Sequence, residues 1–571
     1  MPKIVTVEQM RAIEQASDKK GHSYAAMMEM AGRAVAERVK YLLAGTPESR
    51  IAVLVGPGNN GGDGLVAARI LAEEIDGASV GAFLLAQRDD DDPVFAAARD
   101  AGVFIADAAN DQSAGFRVLQ NLVSNADVVI DALFGTSLHL PIKGDAAKVL
   151  QTAAKALILR KSERPRPPYT TPAQPGEVWE TAGPIIVAVD CPSGLDCDTG
   201  ELDKHTLHAH ETITFAAAKP GLVTFPGAEA VGVLHVADIG LPDNLPELDD
   251  IPLTLVDAQI AAQLLPARPM DSHKGTFGKA MIVAGSLNYT GAAYLAAHAA
   301  YRVGCGLVTV AAPQIIIPTL AGMLPEATWL LLPHDMGVIN EPAVKVLRKE
   351  VEGYSALLLG PGWGREPVTG DFLRELLQPK EEIRRSRAIG FVPISPDDAE
   401  DIPDAHLPPL VIDADGLNLL ATFENWPRFV PPGTILTPHP GEFARLTGLE
   451  TADVQANRLA LAAEKAAEWN CIVTLKGAFT VIAAPDGRAA VLPFASSALA
   501  SAGTGDVLAG AIVGLLAQGL EPFEAAVAGA WLHGLAGIRA AEMIDTTASV
   551  TAGDVLELLP EAYAQTEKSI L

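Results

Sequence analysis

Cysteine is scarce in this chain: Cys191, Cys197, Cys305 and Cys471 are the only four in 571 residues, and no C-x-x-C pair occurs. A disulfide-built scaffold and a thiolate zinc site are therefore excluded, and a reducing, cytoplasmic setting is expected. Positive charge is also short, with 42 Lys+Arg against 70 Asp+Glu and a net charge of −28. Such a surface cannot displace the counterions of a nucleic-acid backbone or settle on anionic lipid, so no nucleic acid and no membrane is expected as a partner. A phosphorylated small molecule stays open, because backbone N–H groups bind anions without a basic surface. The first 20 residues are polar and lack the apolar run of a signal peptide. Residues 303–325 carry no charge, but Gly304, Gly306, Pro313, Gln314 and Pro318 interrupt them. Two β-rich pieces fit that stretch better than one membrane helix. GxxxxGK[ST] is missing, which excludes a P-loop enzyme. No short-period repeat occurs, which excludes a solenoid.

Hydrophobic residues make up 49% and charged residues 20%, so the chain is globular and long enough for more than one core. Helical spacing predicts helices over 7–19 and 24–43, the second with Ser23 as N-cap. Short apolar runs at 51–55, 80–85, 128–133 and 185–189 read as buried parallel strands. A helix is expected over 65–75. After a proline-rich, acidic stretch at 241–252, read as the domain junction, the alternation restarts. Strands are expected at 280–284, 307–311, 356–359, 409–412, 434–436, 472–475 and 480–483, with helices at 292–303 and 502–517. Alternating β and α elements imply open parallel sheets with helices on both faces. Two segments look inserted and read as surface loops: 160–177, with Pro165, Pro167, Pro168, Pro172 and Pro175, and 384–409, basic at its start and acidic at its end.

The motifs sit at strand ends, the edge of an open α/β sheet where ligands bind. GPGNNGGDG (56–64) follows a strand and opens a helix, so its free N–H groups face an anion; a tight turn needing glycine is the plain alternative. Asp131 opens DALFGTS (131–137) and Asp190 opens DCPSG (190–194). Helix capping would account for either aspartate alone. Oxygens of Asn60, Asp131 and Ser193 suit one hard cation, which leaves Asp190 as a candidate acid/base. In the second half, HKGTFGK (273–279) precedes the first strand, and GPGWG (360–364), DAD (413–415) and TPHPGEFAR (437–445) again end strands, although His439 alone reads equally well as structural. AGTGDVLAG (502–510) combines small residues with a helix start, suited to a phosphate, and Asp506 stands where it can take a proton from a hydroxyl attacking that group.

Together these motifs resemble two families. Residues 10–14, 28–32 and 212–215, with GPGNNGGDG, DALFGTSL, DCPSGLD, KPGL (219–222) and DIG (238–240), are similar to the NAD(P)H-hydrate epimerase (YjeF N-terminal) family. The resemblance implies a Rossmann-like three-layer αβα domain at 1–246 that interconverts the R and S forms of hydrated NAD(P)H, NAD(P)HX. By motif, Asn59, Asn60, Gly61, Gly62, Asp63, Gly135, Thr136, Ser137, Leu138, His139, Leu140 and Pro141 would contact the hydrate with catalytic Asp190. Asn60, Asp131 and Ser193 would bind potassium. GTGD resembles the ribokinase-like superfamily. The fuller set, with DADGLN, TPHPGEFARL, KGAFT and TAGDV (551–555), is similar to the ADP-dependent NAD(P)H-hydrate dehydratase family, implying a C-terminal ribokinase-like αβα domain at 247–571.

There, Gly364, His439, Pro440, Gly441, Glu442, Phe443, Ala444 and Arg445 would contact the hydrate with catalytic Asp506. Lys476, Gly477, Ala478, Phe479 and Thr480, with the stretch 495–505 that includes Ala502, Gly503, Thr504 and Gly505, would hold the nucleotide. ADP is the implied co-substrate, with magnesium on its phosphates, and AMP and phosphate are the by-products. Trp363 and Thr504 depart from the usual residues. Both halves in this order resemble the bifunctional NAD(P)H-hydrate repair family. A homo-oligomer is expected.

Overall fold

The computed structural model describes residues 2–46, 48–163, 183–378 and 406–570. The chain divides into two compact units, Pro2–Ile251 and Pro252–Leu571. Both are α/β, as expected. Most of the segments 160–177 and 384–409 lies outside the described residues. Residues 160–163 are described, and here the expected loop is corrected: they end the helix Gly144–Glu163. Helix can persist there because Pro165 restricts the residue before it, not the turn before that.

The first unit opens with the helices Val7–Lys19 and Tyr24–Leu42. Thr6 and Gln9 cap the first reciprocally, and Ser23 accepts the Ala26 N–H at the second, as its position predicts. Seven strands follow: β1 (Arg50–Val55), β2 (Ser79–Leu84), β3 (Phe104–Asp107), β4 (Val128–Ala132), β5 (Ile185–Val189), β6 (Glu211–Phe215) and β7 (Val233–Ala237). They form one sheet in the order β3-β2-β1-β4-β5-β6-β7, and every pairing is parallel. β4 is buried along its whole length, which is why it is apolar throughout except for Asp131. The strand order reverses between β1 and β4, a crevice where ligands bind in this architecture.

The second unit contributes β8 (Leu253–Leu255), β9 (Lys279–Val283), β10 (Leu307–Pro313), β11 (Thr328–Leu332), β12 (His334–Asp335), β13 (Val338–Ile339), β14 (Ala356–Leu359), β15 (Leu410–Ile412), β16 (Ile435–Leu436), β17 (Ile472–Leu475), β18 (Val481–Ala483) and β19 (Ala489–Val491). Ten of them make a sheet ordered β11-β10-β9-β14-β15-β16-β17-β18-β19-β8; β12 and β13 pair separately. The run from β11 to β17 is parallel, and β18 is antiparallel to both its neighbours. The order again reverses, between β9 and β14.

The helices Thr290–Arg302, Thr504–Ala517 and Pro522–Ile544 join the main core of this unit. Their alanines and glycines permit close approach: a Cβ on Gly510 would meet Ala296 O at 2.2 Å. The uncharged stretch at 303–325 becomes β10 and a short helix, Ile317–Ala321, rather than two β pieces. Among the described residues, no helix is long and apolar enough to cross a membrane.

Candidate functional sites

In the first unit the turns after β1, β4 and β5, neighbours in the sheet, meet in a cleft of about 720 Å³. The helix expected at 65–75 starts earlier, at Asn59, so the glycine-rich motif is itself the first turn. Two glycines are dictated by packing. A Cβ on Gly56 would stand 1.7 Å from Leu133 O, and one on Gly61 2.0 Å from Gly56 O. Gly62 packs on Met28. The ligand-facing content of the motif therefore lies with Asn59, Asn60 and Asp63, which line the cleft with Gly135, Thr136, Ser137, Leu138 and Asp190. His139, Leu140 and Pro141 are not among the lining residues, nor are Gly61 and Gly62. Arg88, which carries no motif, clamps the turn by donating to Gly56 O (2.9 Å) and Gly58 O (2.8 Å).

Asp190 sits in the left-handed region (φ 63°) immediately after β5. Its Oδ1 accepts from Thr214 Oγ1 (3.0 Å) and Lys219 Nζ (2.5 Å). Lys219 is 1% exposed. Burial works against its charge, but Asp190 outweighs that, and the ammonium pKa ends above its usual value. The motif KPGL contains this lysine, yet nothing in sequence spacing indicates that it folds back onto an aspartate. Burial, and next the Asp190 charge, raise the carboxyls of Asp63 and Glu14, Asp63 well above the ordinary range. Glu14 also lines the cleft. One cleft thus holds two carboxyls with raised pKa values beside the Asp190–Lys219 contact, an arrangement able to give and accept protons.

The three potassium candidates lie around the same turns. Asp131 is fully buried, and burial raises its pKa against hydrogen bonds from Ser193 and Leu133. Ser193 Oγ donates to Asp131 Oδ1 (2.6 Å) and accepts the Phe134 N–H (3.0 Å). Asn60 is buried with both amide atoms unpartnered, close against Gly135.

In the second unit a smaller cleft, about 360 Å³, lies between the turn after β17 and the start of the helix Thr504–Ala517. Lys476, Gly477, Ala478, Thr480, Thr504 and Gly505 line it; Phe479, Ala502 and Gly503 do not. Gly503 caps the helix at φ 90°, so the helix begins at Thr504 rather than at 502. Its side-chain space is closed by Leu295 and Ala552. Thr504 Oγ1 turns inward to Leu499 O and Ser501 O, both at 2.9 Å. Ser496, Leu499 and Ala500, from the stretch 495–505, also line the cleft, as do His439 and Pro440, expected instead at the hydrate.

Lys476 Nζ lies 2.7 Å from Asp413 Oδ1 and 3.9 Å from Glu442 Oε2. Burial opposes the lysine charge, and Asp413 and Glu442 more than restore it. The same burial, reinforced by Asp413, pushes Asp506 up to about 7. Glu442 also rises to about 7, with burial the main cause. It is 5% exposed, and it accepts the His439 N–H (2.9 Å) while His439 Nδ1 accepts from Gly441 (3.0 Å), a capping pair for the helix Pro440–Thr447. His439 therefore has a structural task, and burial with the Lys476 charge lowers its pKa to about 4.

Other expected hydrate contacts have mixed surroundings. Phe443 is fully buried against Trp469, and Ala444 is buried. Arg445 donates to Asn418 Oδ1 (2.9 Å), and the Gly364 N–H to Asp415 Oδ2 (2.9 Å). Trp363 belongs to the core: it is 0% exposed and its indole donates to Val283 O (2.9 Å).

Comparison with known proteins follows this geometry. The family model described as YjeF-related protein N-terminus matches residues 24–221. The one described as NAD(P)H-hydrate dehydratase matches 280–383 and 399–561. The bifunctional NAD(P)H-hydrate repair enzyme Nnr of Moorella thermoacetica is 37% identical over 553 residues, spanning 95% of this chain and 93% of its own length. That of Thermofilum pendens is 34% identical over 568 residues, spanning 98% and 96%. A solved structure of ADP/ATP-dependent NAD(P)H-hydrate dehydratase from Bacillus subtilis, co-crystallised with ATP/Mg2+, is 30% identical and covers 55% of this chain and 98% of its own, with a TM-score of 0.42. With two family models matched in sequence and near-complete coverage of such relatives, the chain belongs to the family of bifunctional NAD(P)H-hydrate repair enzymes.

Proposed function

We propose that the first unit interconverts the R and S forms of NAD(P)HX and that the second dehydrates the S form at the expense of ADP. A dehydratase specific for one epimer strands the other, and an epimerase on the same chain removes that limit. The observation that carries the reading is Asp506: a carboxylate poised near neutrality in the first turn of a helix, in the field of the half-buried Lys476. A general base works best with a pKa near the working pH.

Hydroxide is a poor leaving group. Asp506 takes the proton of the ring hydroxyl as its oxygen attacks the terminal phosphoryl group of ADP, and AMP departs. Lys476 and the N–H of Gly505 at the helix start hold the phosphoryl oxygens. Phosphate then leaves the ring with the C–O electron pair, and loss of a proton from the adjacent carbon restores the double bond of NAD(P)H. Magnesium would neutralise phosphate charge. Among the described residues no cluster of three or more His, Cys, Asp or Glu forms a cage, while Asp413 Oδ2 is buried without a partner. That suits an ion arriving with the nucleotide.

In the first unit Asp190, oriented by Thr214 and Lys219, is the acid/base at the ring hydroxyl. Potassium suits the unpartnered Asn60 amide and the buried charge of Asp131, which has no cationic partner among the described ion pairs; Asn60, Asp131 and Ser193 would hold it. When bound, it supplies positive charge at the turn after β4.

Mixed-epimer hydrate incubated with ADP or ATP, with and without potassium, tests both halves. The expected result is complete recovery of reduced-nicotinamide absorbance with ADP, and with Asp190→Ala recovery that stops once the S form is consumed. A stable phosphorylated alcohol as product would refute the reading in favour of a small-alcohol kinase.

A further inference from the structure

His533 lies on the helix Pro522–Ile544, outside every motif considered above. It is 7% exposed, it lines the cleft of the second unit, and its Nε2 is buried without any hydrogen-bond partner. A buried polar atom left unpaired is costly, and in a residue that lines a cavity a ligand atom is a ready partner for it. The chain beside it is closely packed. A Cβ on Gly534, the next residue, would stand 2.2 Å from Phe494, and the Phe494 and Trp531 rings are 4.9 Å apart.

The cleft has two chemistries. Lys476, Gly477 and Gly505 offer a cation and N–H groups; Phe494, Leu499, Ala500 and Leu508 offer apolar surface beside His533. A nucleotide has the same polarity, phosphates at one end and a largely apolar nucleoside at the other. The imidazole is held neutral: burial, opposed by the Thr504 backbone and reinforced by Lys476, lowers its pKa to about 4. A neutral ring has one N–H and one lone pair. The Thr504 backbone favours a proton on the ring, and the unpartnered Nε2 is the atom left to carry the lone pair.

Resting on the nucleotide reading given above, we infer that His533 Nε2 accepts a hydrogen bond from the nucleoside of the bound nucleotide, a ribose hydroxyl or the exocyclic amine of the base. His533 thus selects the nucleoside, whereas Lys476 and the helix start hold phosphate.

Calorimetric titration of the full chain tests this. His533→Leu should weaken ADP and AMP about tenfold, the usual weight of such a bond. It should leave pyrophosphate binding unchanged and raise KM for ADP while sparing kcat. On the unaltered protein, one of 2′-deoxy-ADP, 3′-deoxy-ADP and the diphosphate of purine riboside should lose the same factor, and that analogue should lose nothing further on His533→Leu. This analogue series decides the matter even if the variant fails to fold. Equal binding of all three analogues and ADP by the unaltered protein, or of ADP by variant and parent, overturns the role of His533 alone. Failure of the unaltered protein to bind ADP overturns the nucleotide reading as well.

Discussion

Replacing Asp506 by Asn should make the second unit more stable while removing its proton acceptor. In the folded chain the Asp506 carboxyl is pushed up to about 7, against an ordinary 3.8. Between those values the folded state holds a proton that the unfolded state has lost, so stability falls as pH rises through the window. Below 3.8 both states are protonated and nothing is lost; above 7 the whole deficit is present. A shift of this size amounts to about 4 kcal/mol. Asp506 shares its field with Asp413, Asp415, Glu442 and Lys476, so part of the deficit belongs to the cluster and survives the substitution. The expected gain is therefore ~2–4 kcal/mol at pH 8, shrinking toward zero as pH approaches 4.

Asn keeps the shape of Asp and adds no atom, so packing should not mask the effect. Urea unfolding followed by tryptophan fluorescence reads mainly the right unit, because five of the six tryptophans, Trp329, Trp363, Trp426, Trp469 and Trp531, belong to it and only Trp179 to the other. A variant no more stable than the parent at pH 8, or a gain equally large at pH 4, would refute the argument. Dehydration should be lost in the same protein, so activity and stability move in opposite directions.

Asp190→Ala should abolish interconversion of the two hydrate epimers and leave dehydration of the S form intact; epimer-resolved chromatography reads this, and surviving interconversion would remove Asp190 from its role. Asp131→Asn withdraws the buried charge proposed to hold potassium, so epimerisation should become slow and indifferent to potassium concentration, measured against sodium at equal ionic strength. The glycine motif should respond unevenly. Gly56→Ala forces a Cβ to within 1.7 Å of Leu133 O and should cost ~3 kcal/mol or prevent folding, whereas a Cβ on Gly58 meets nothing within 4 Å and should change stability by less than ~0.5 kcal/mol, both read by urea midpoint.

Central strands were readable because burial on both faces leaves an unbroken apolar run, as in β1, β4, β5, β14 and β17. The strands β3 and β7 were not, since they stand at sheet edges with partly exposed residues such as Phe104 and Val233. The helix Pro522–Ile544 escaped for the opposite reason: it is buried around most of its circumference over much of its length, so no polar face marks its period. The site followed the same division. Asp190 stood out at a strand end and Asp506 in a glycine-rich helix start. Lys219, Arg88, Glu14 and His533 did not, because a lone side chain far along the chain carries no local signature of what it will touch.

Sequence order alone determined two α/β halves and the motifs after their strands, because apolar periodicity and chain flexibility are local properties. Tertiary structure alone decided which motif residues face a cavity and which pack inward, as Phe443 and Trp363 do. It also decided which carboxyls have raised pKa values, because desolvation and the field of distant charges exist only once remote segments have been brought together.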